Sequence, residues 1–170
     1  MKMAVKRQLV LFRIGREEFG VDIIETKEVM SMRDVTPVPE TLEFVEGVMN
    51  LRGNLVPILD LRKRLRAGTS EAHRDRRIII VNFNGRMTGL IVDGASEVLR
   101  IGDEMVLDPP ELIFEAGIDY ISGIVKLEDR VVSIIDLKKA LTGQIDMELE
   151  EVARLITGGH VGSGQPAQAV

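Results

Sequence analysis

Two stretches of this 170-residue chain nearly repeat each other, and they decide how its fold is read. Gly47–Leu65 reads GVMNLRGNLVPILDLRKRL, and Gly123–Leu141 reads GIVKLEDRVVSIIDLKKAL. Eight of the nineteen aligned positions are identical, where chance would give roughly one at about 6% identity per position. The sequence therefore contains an internal duplication.

A weaker sequence similarity, between Leu11–Met30 and Ile80–Leu99, extends the repeat upstream. Three aligned pairs are identical there: Gly20 with Gly89, Glu28 with Glu97, and Val29 with Val98. The chain thus divides into two related halves, about residues 8–66 and 77–143, joined by a polar, basic loop at 67–76. We expect both halves to form one domain over residues 8–157.

Each half reads as short strands, because its apolar runs are brief, rich in aliphatic residues and bounded by turn residues. The predicted strands are Gln8–Ile14, Phe19–Ile23, Leu55–Leu59, Ile78–Phe83, Gly89–Val92 and Val131–Ile135. Asn84-Gly85 predicts a type I′ hairpin turn, which needs a positive φ at both central residues. Pro57 has no N–H to donate, so it predicts an edge strand.

Short helices follow the repeated strands. Asp60 and Asp136 each precede a Leu and two basic residues, and we interpret them as N-caps rather than catalytic acids. Gly68 and Gly143 suit the C-caps. A last amphipathic helix is predicted over 147–156, and the Gly/Ala/Gln-rich stretch 158–170 is expected to be a disordered tail. The predicted fold class is all-β with short helices.

Composition excludes several classes of function. The absence of Cys excludes disulfides, thiolate metal sites and cysteine nucleophiles, and six aromatic residues with no Trp leave little for base stacking. A net charge of −5 is the wrong sign for a general nucleic-acid binder. His73 and His160 have no partner at ligand or triad spacing, so we predict no metal, no cofactor and no catalytic residue.

The sequence shows no membrane span and no secretion signal. The longest unbroken aliphatic run, Ile78–Val81, is far too short to cross a bilayer. The basic N-terminal region leads into an apolar stretch without a small-residue cleavage site. We therefore expect a cytoplasmic protein.

Two surface features remain candidates for binding. Basic residues cluster at Arg62–Arg66 and Arg74–Arg77, which keeps a small nucleic-acid-binding β-barrel open as an alternative. Asn50–Asn54 forms the tip of a predicted hairpin, where Gly53 permits the turn and Arg52 points outward. Taken alone, Arg52 and Glu28 would be ordinary exposed residues.

The order of motifs closely resembles the CheW family of chemotaxis coupling proteins, from about Gln8 to Leu141. The matching motifs are Phe19–Ile23, Glu28-Val29, Gly47–Gly53, Val56–Leu61, Gly89–Asp93 and Tyr120–Gly123. The resemblance implies two SH3-like five-stranded β-barrels around a shared hydrophobic core, in agreement with the duplication. It also implies a non-catalytic adaptor that joins the cytoplasmic tips of chemoreceptors to the histidine kinase CheA.

The resemblance also implies which residues belong to the coupling site. Receptor coupling is expected at Arg52 within Asn50–Gly53, together with Gly47 and Glu28, and a Glu28–Arg52 salt bridge is a hypothesis. Val29 and Val98 are candidates for the lining of an apolar receptor groove between the barrels. The kinase contact is expected on exposed barrel ends, without assigned residues. An adaptor of a non-flagellar chemosensory pathway is an alternative that the sequence leaves open.

Overall fold

The structure is a computed structural model that describes residues 6–39, 43–65, 75–141 and 154. The elements of the first half are β1 (Lys6–Ile14), β2 (Glu17–Asp22), β3 (Thr26–Ser31), β4 (Val45–Leu51), β5 (Asn54–Asp60) and the helix α1 (Leu61–Leu65). Those of the second half are β6 (Arg77–Phe83), β7 (Arg86–Val92), β8 (Gly94–Gly102), β9 (Val106–Leu107), α2 (Glu111–Glu115), β10 (Ile121–Lys126), β11 (Val131–Ile135) and α3 (Leu137–Ala140). Single 3-10 turns at Ile23–Glu25 and Asp103–Met105 follow β2 and β8.

The predicted strands are confirmed to within a few residues. β7 begins at Arg86, earlier than predicted, because the Asn84-Gly85 turn has φ values of 53° and 77° and returns the chain directly into pairing. β2 ends at Asp22, since its carboxylate accepts a hydrogen bond from the Ile24 N–H at 3.1 Å and starts a 3-10 turn. Turn chemistry therefore sets these strand ends.

The two sheets do not coincide with the two halves of the sequence. One sheet has the order β8-β1-β2-β11-β10-β9 and the other β3-β6-β7-β5-β4, so each takes strands from both halves. Within each sheet, one parallel pair of strands joins the two halves of the sequence. Gly20 of β2 lies opposite Ile134 of β11, and Gly89 of β7 lies opposite Ile58 of β5. Because these residues are equivalent in the repeat, the halves exchange equivalent hairpins and interlock.

Pro57 does not mark an edge strand, and that prediction is wrong. β5 lies inside its sheet, between β7 and β4. The parallel pairing with β7 begins only at Ile58, one residue after the proline. The missing N–H of Pro57 therefore precedes the parallel ladder with β7, and on the β4 side Pro57 lies opposite Val48, whose backbone N–H and C=O form hydrogen bonds with Thr36 instead.

A shared hydrophobic core between the sheets is confirmed. Leu9 and Leu11 of β1 pack inside the six-stranded sheet, whereas the alternate residues Val10 and Phe12 face a larger cluster. β6 is buried on both faces in the same way. Its residues Ile79, Val81 and Phe83 join that larger cluster, together with residues of α1 and α3. Burial on both faces explains why both strands read as continuous apolar runs.

The helix caps are confirmed where the structure describes them. The Asp136 carboxylate accepts a hydrogen bond from the Lys139 N–H at 3.2 Å, and that of Asp60 accepts one from the Arg62 N–H at 3.0 Å. Gly68 and Gly143, the helix predicted over 147–156 (Arg154 apart) and the predicted tail at 158–170 lie outside the described residues.

Candidate functional site

The β4–β5 hairpin ends in a two-residue turn formed by Arg52 and Gly53. Their φ values are 50° and 88°, and Leu51 pairs with Asn54 across the turn. Two positive φ angles identify a type I′ turn, the geometry that matches strand twist. The Asn50 side-chain oxygen accepts a hydrogen bond from the Gly53 N–H at 2.9 Å, which fixes the loop. Arg52 is thus held at the tip, with 68% of its side chain exposed.

The Arg52 guanidinium donates a hydrogen bond to the Glu28 carboxylate, as the sequence hypothesis requires. Glu28 lies on β3, at one edge of the five-stranded sheet, and Arg52 adjoins β4, at the other. The ion pair therefore spans the seam where this sheet curls round to bring its two edges together. Met30 and Met49, one from each edge strand, belong to the same buried cluster.

Gly47 is buried and has a structural role. Its φ is 143°, and a Cβ there would lie 2.0 Å from the carbonyl oxygen of Thr36. The neighbouring Val48 exchanges two backbone hydrogen bonds with Thr36, both at 2.8 Å. Gly47 therefore lets the chain at Thr36 cross directly over β4 and presents no surface of its own.

Val29 and Val98 are exposed apolar residues on two different sheets. Val29 lies on β3 opposite Ile79, and Val98 lies on β8 opposite Val10. Both strands are sheet edges, and 42% and 48% of the two residues is exposed. The structure thus brings Glu28, Asn50, Arg52 and Gly53 together beside Val29, and it places Val98 at the equivalent position of the other sheet.

Sequence reasoning missed a buried ion-pair network centred on Arg62. The guanidinium donates to Asp60 at 2.7 and 2.9 Å and to Asp93 at 3.4 Å. All three side chains are almost completely buried, and the second Asp93 oxygen accepts a hydrogen bond from the Gly15 N–H at 2.6 Å. The hydrogen bond to Asp60 is the main cause that raises the pKa of Arg62. The network ties the five-stranded sheet to the β1–β2 turn.

The positions of Asp60 and Asp93 in the sequence indicate this network, but only if β5 and β7 are known to pair in parallel. Asp60 ends β5 and Asp93 follows β7, and these strands pair in parallel, so both carboxylates emerge at the same sheet edge. Parallel pairing between the two halves was not predicted. Arg62 was assigned to the basic surface stretch instead.

Two residues of the basic stretch are paired with carboxylates in the structure. Arg62 is buried against two carboxylates, and the Lys63 ammonium donates a hydrogen bond to Glu46 at 2.9 Å. Arg62 is thereby withdrawn from the surface that the nucleic-acid alternative requires, whereas Lys63 stays exposed with its charge paired. Arg66 and Arg74 lie outside the described residues.

The equivalent place in the other half is open. Asp136, Lys138 and Ile24 stand where the first network has Asp60, Arg62 and Asp93. A cavity of about 290 Å³ adjoins it, and Ile24 is 84% exposed at its rim. The cavity is lined by Arg7, Asp22, Ile24, Glu25, Ser122, Ile134, Ile135 and Asp136. Burial first, and then the charges of Asp22 and Asp136, raise the pKa of Glu25.

The described ranges carry no group of three or more His, Cys, Asp or Glu side chains arranged to hold a metal ion. Over that same part of the chain, no helix combines the length and apolar character needed to cross a bilayer. The surface feature that the fold does build is the ion-paired hairpin at the seam of one barrel. Fold and site together define a β-barrel protein with an exposed, ion-paired hairpin on its surface.

Comparison with known proteins identifies the family. The CheW-like domain family matches residues 8–144. The chain is 32% identical over 150 residues to the chemotaxis protein CheW of Klebsiella aerogenes, covering 88% of this chain and 90% of that protein. It is 34% identical over 152 residues to that of Treponema pallidum, covering 87% and 88%.

A solved structure shows the same architecture. The scaffolding protein TtCheW from Thermoanaerobacter tengcongensis superposes with a TM-score of 0.75 at 36% identity, over 83% of this chain and 96% of that one. The chain therefore belongs to the CheW-like family of coupling and scaffold proteins of chemotaxis. The predicted fold of two SH3-like barrels is confirmed. Five strands were predicted for each barrel, but one of the two sheets has six, because the short strand β9 pairs at its edge with β10.

Proposed function

We propose that this chain is a non-catalytic adaptor that couples the cytoplasmic tips of chemoreceptors to the histidine kinase CheA. It would act in the cytoplasm, beneath receptor arrays. The observation that carries the proposal is the exposed Glu28–Arg52 pair across the seam of the five-stranded sheet. Family membership supports the chemotaxis pathway, and the pair supplies a defined surface within it.

Energetics argue against a purely structural role for this pair. A non-glycine residue in the left-handed region costs about 1–2 kcal/mol, and Arg52 adopts that region. An exposed ion pair returns only about 0–1 kcal/mol. The hairpin tip is therefore not optimised for stability. Strained, exposed and rigidly positioned side chains are typical of interaction sites.

The surroundings of the pair suit a helical partner. Val29 follows Glu28 directly and leaves an apolar, partly exposed side chain on the edge strand β3. An amphipathic helix can place an apolar anchor against such a residue while its polar side chains meet the ion pair. Single contacts of this size are weak, but repetition across an array strengthens them through avidity.

The decisive experiment reverses the charge at the hairpin tip. We expect Arg52→Glu to abolish receptor control of CheA autophosphorylation in a reconstituted receptor–adaptor–kinase mixture. Its melting temperature should hardly change, since exposed turn substitutions typically shift stability by less than about 0.5 kcal/mol. The matched control is Glu128→Arg, a charge reversal of equal size at the equivalent position of the second repeat.

The double variant Glu28→Arg with Arg52→Glu tests the pair itself. Restored coupling would show that the opposed charges position the surface, whereas additive damage would show that each residue contacts the partner separately. Loss of coupling in the Glu128→Arg control, or wild-type coupling in Arg52→Glu, would remove the assignment of this hairpin.

A further inference from the structure

The open cavity beside Ile24 carries an excess of negative charge. Three of its lining residues are acidic, namely Asp22, Glu25 and Asp136, and one is basic, namely Arg7. The Arg7 Nε lies 3.7 Å from a carboxylate oxygen of Asp22, so this cation is paired with one of the three acids. Glu25 has no hydrogen-bonded or ion-paired partner among the residues that the structure describes. The lining therefore leaves the carboxylates of Glu25 and Asp136 without a counter-charge.

The first half of the chain shows which group such a place binds. Asp60, the repeat equivalent of Asp136, accepts hydrogen bonds from the Arg62 guanidinium at 2.7 and 2.9 Å. Both aspartates also cap the short helix that follows them, so their carboxylates have equivalent positions. Lys138 replaces Arg62 in the second half, and it is exposed. The same position in the fold thus holds a guanidinium in one half and adjoins an open cavity in the other.

The size of the cavity and the residue at its rim favour a side chain of another protein over a small molecule. Its volume of about 290 Å³ is at the lower limit of small-molecule pockets, which measure about 300–1,000 Å³, and suits one long side chain. Ile24 is 84% exposed, more than any other large apolar residue in the described part of the chain. A partner segment can cover Ile24 with an apolar residue next to its cation, which a free cation cannot do. Arginine is also enriched among the residues that contribute most to protein interfaces.

We propose that this cavity binds an arginine side chain of a partner protein, with the guanidinium between the carboxylates of Glu25 and Asp136 and an adjacent apolar residue of the partner against Ile24. A bound guanidinium offsets the repulsion between carboxylates that helps to raise the pKa of Glu25. The strands that line the cavity belong to the six-stranded sheet, whereas the Glu28–Arg52 pair belongs to the five-stranded sheet. The site is therefore separate from the surface proposed for receptor coupling, and it can be tested independently.

An NMR titration of the isotope-labelled full chain tests the site with two peptides that differ in charge. The probe is the amide of N-acetyl-leucyl-arginine, and its control carries citrulline, which has nearly the same shape but no charge. We expect the arginine peptide to shift the backbone amide signals of Ile24, Glu25 and Asp136 and to bind at least about tenfold more tightly than the citrulline peptide. Glu25→Gln should weaken binding of the arginine peptide about tenfold. Glu111→Gln, at an exposed residue of α2, is the matched control.

Equal affinity for the two peptides, or no signal change around the cavity, would overturn the proposal. An equal loss of affinity in Glu25→Gln and Glu111→Gln would overturn it as well, because net charge and not this cavity would then attract the peptide. Ile24→Ser distinguishes a protein partner from a free cation. It should weaken binding of the leucyl-arginine peptide and leave binding of arginine amide unchanged. If Ile24→Ser bound the peptide as tightly as the unmodified protein, the assignment to a partner protein would be wrong.

Discussion

The two copies of the repeated hairpin have turns of different backbone conformation. In the first copy, Arg52 and Gly53 form a tight two-residue turn with two positive φ angles. In the second copy the equivalent residues, Glu128 and Asp129, have no positive φ, and the strands β10 and β11 each end one residue farther from the turn. The Leu127 N–H donates a hydrogen bond to the Arg130 carbonyl at 2.8 Å across it.

This difference separates what the fold needs from what the site needs. The same architecture tolerates a turn without glycine and without a left-handed residue. The tight turn is therefore not required for folding, and its effect is to place Arg52 against Glu28. A comparable difference distinguishes the buried Asp60–Arg62–Asp93 network from the open cavity near Ile24 in the other half.

The largest expected effect is at the repeated glycine. Gly47→Ala should destabilise the protein by more than about 4 kcal/mol, because its Cβ meets backbone atoms of Thr36 and its φ is left-handed. Gly123→Ala should cost only about 1 kcal/mol, since its Cβ meets the movable side chain of Val106. Urea unfolding of both variants checks the contrast. Equal losses of stability would mean that Gly47 and Gly123 are packed equally tightly against their neighbours.

The next effect concerns the buried network. Arg62→Met should destabilise the protein by about 3 kcal/mol, because it leaves the carboxylates of Asp60 and Asp93 buried without their cation. The equivalent Lys138→Met is an exposed substitution and should change stability by less than about 0.5 kcal/mol. Thermal unfolding at neutral pH measures both. A small loss in Arg62→Met would show that water or rearrangement satisfies the two carboxylates.

A moderate effect is expected when the turns are exchanged. Replacing Arg52-Gly53 by Glu-Asp should cost about 1–2 kcal/mol, because the new residue at 53 must adopt a φ near 88° or the hairpin must widen. Replacing Glu128-Asp129 by Arg-Gly should be nearly neutral. Denaturant midpoints test this pair of variants. If the second exchange were the more damaging one, the assignment of conformational cost to the first turn would be wrong.

The smallest effect is a pH dependence in the open half. The pKa of Glu25 is raised in the folded state, so its charged form is disfavoured there, and stability is lost as pH rises through that folded pKa. The charges of Asp22 and Asp136 in the same cavity act in the same direction as burial, and the effect is modest because Glu25 is only half-buried. Glu25→Gln should therefore be slightly more stable than the unmodified protein at pH 7 and equal to it at pH 3.

Melting temperatures across that pH range provide the measurement, and Glu111→Gln, an exposed residue of α2, is the control. The same stabilisation in both variants would point to a change in net charge rather than to the environment of Glu25.

Local features were predictable because they depend on neighbouring residues. The Asn84-Gly85 turn and the Asp136 cap follow from backbone geometry and side-chain chemistry within a few positions. The Glu28–Arg52 pair came from the family resemblance, since the residues are 24 positions apart and join opposite edges of a sheet. The edge-strand prediction for Pro57 failed because a missing N–H also fits an inner strand at a position where neither neighbouring strand uses that donor.

The sequence by itself determined the duplication, the strand content and the apolar runs that form a shared core. Only the tertiary structure decided that the halves exchange hairpins, because the same pattern of strands allows pairing within a half or across halves. That exchange sets Ile58 opposite Gly89 and Ile134 opposite Gly20, and it carries Asp60 and Asp93 to one edge beside Arg62. Hydrophobic patterning specifies which faces are buried, whereas the partner of each strand is chosen by how all the faces fit together.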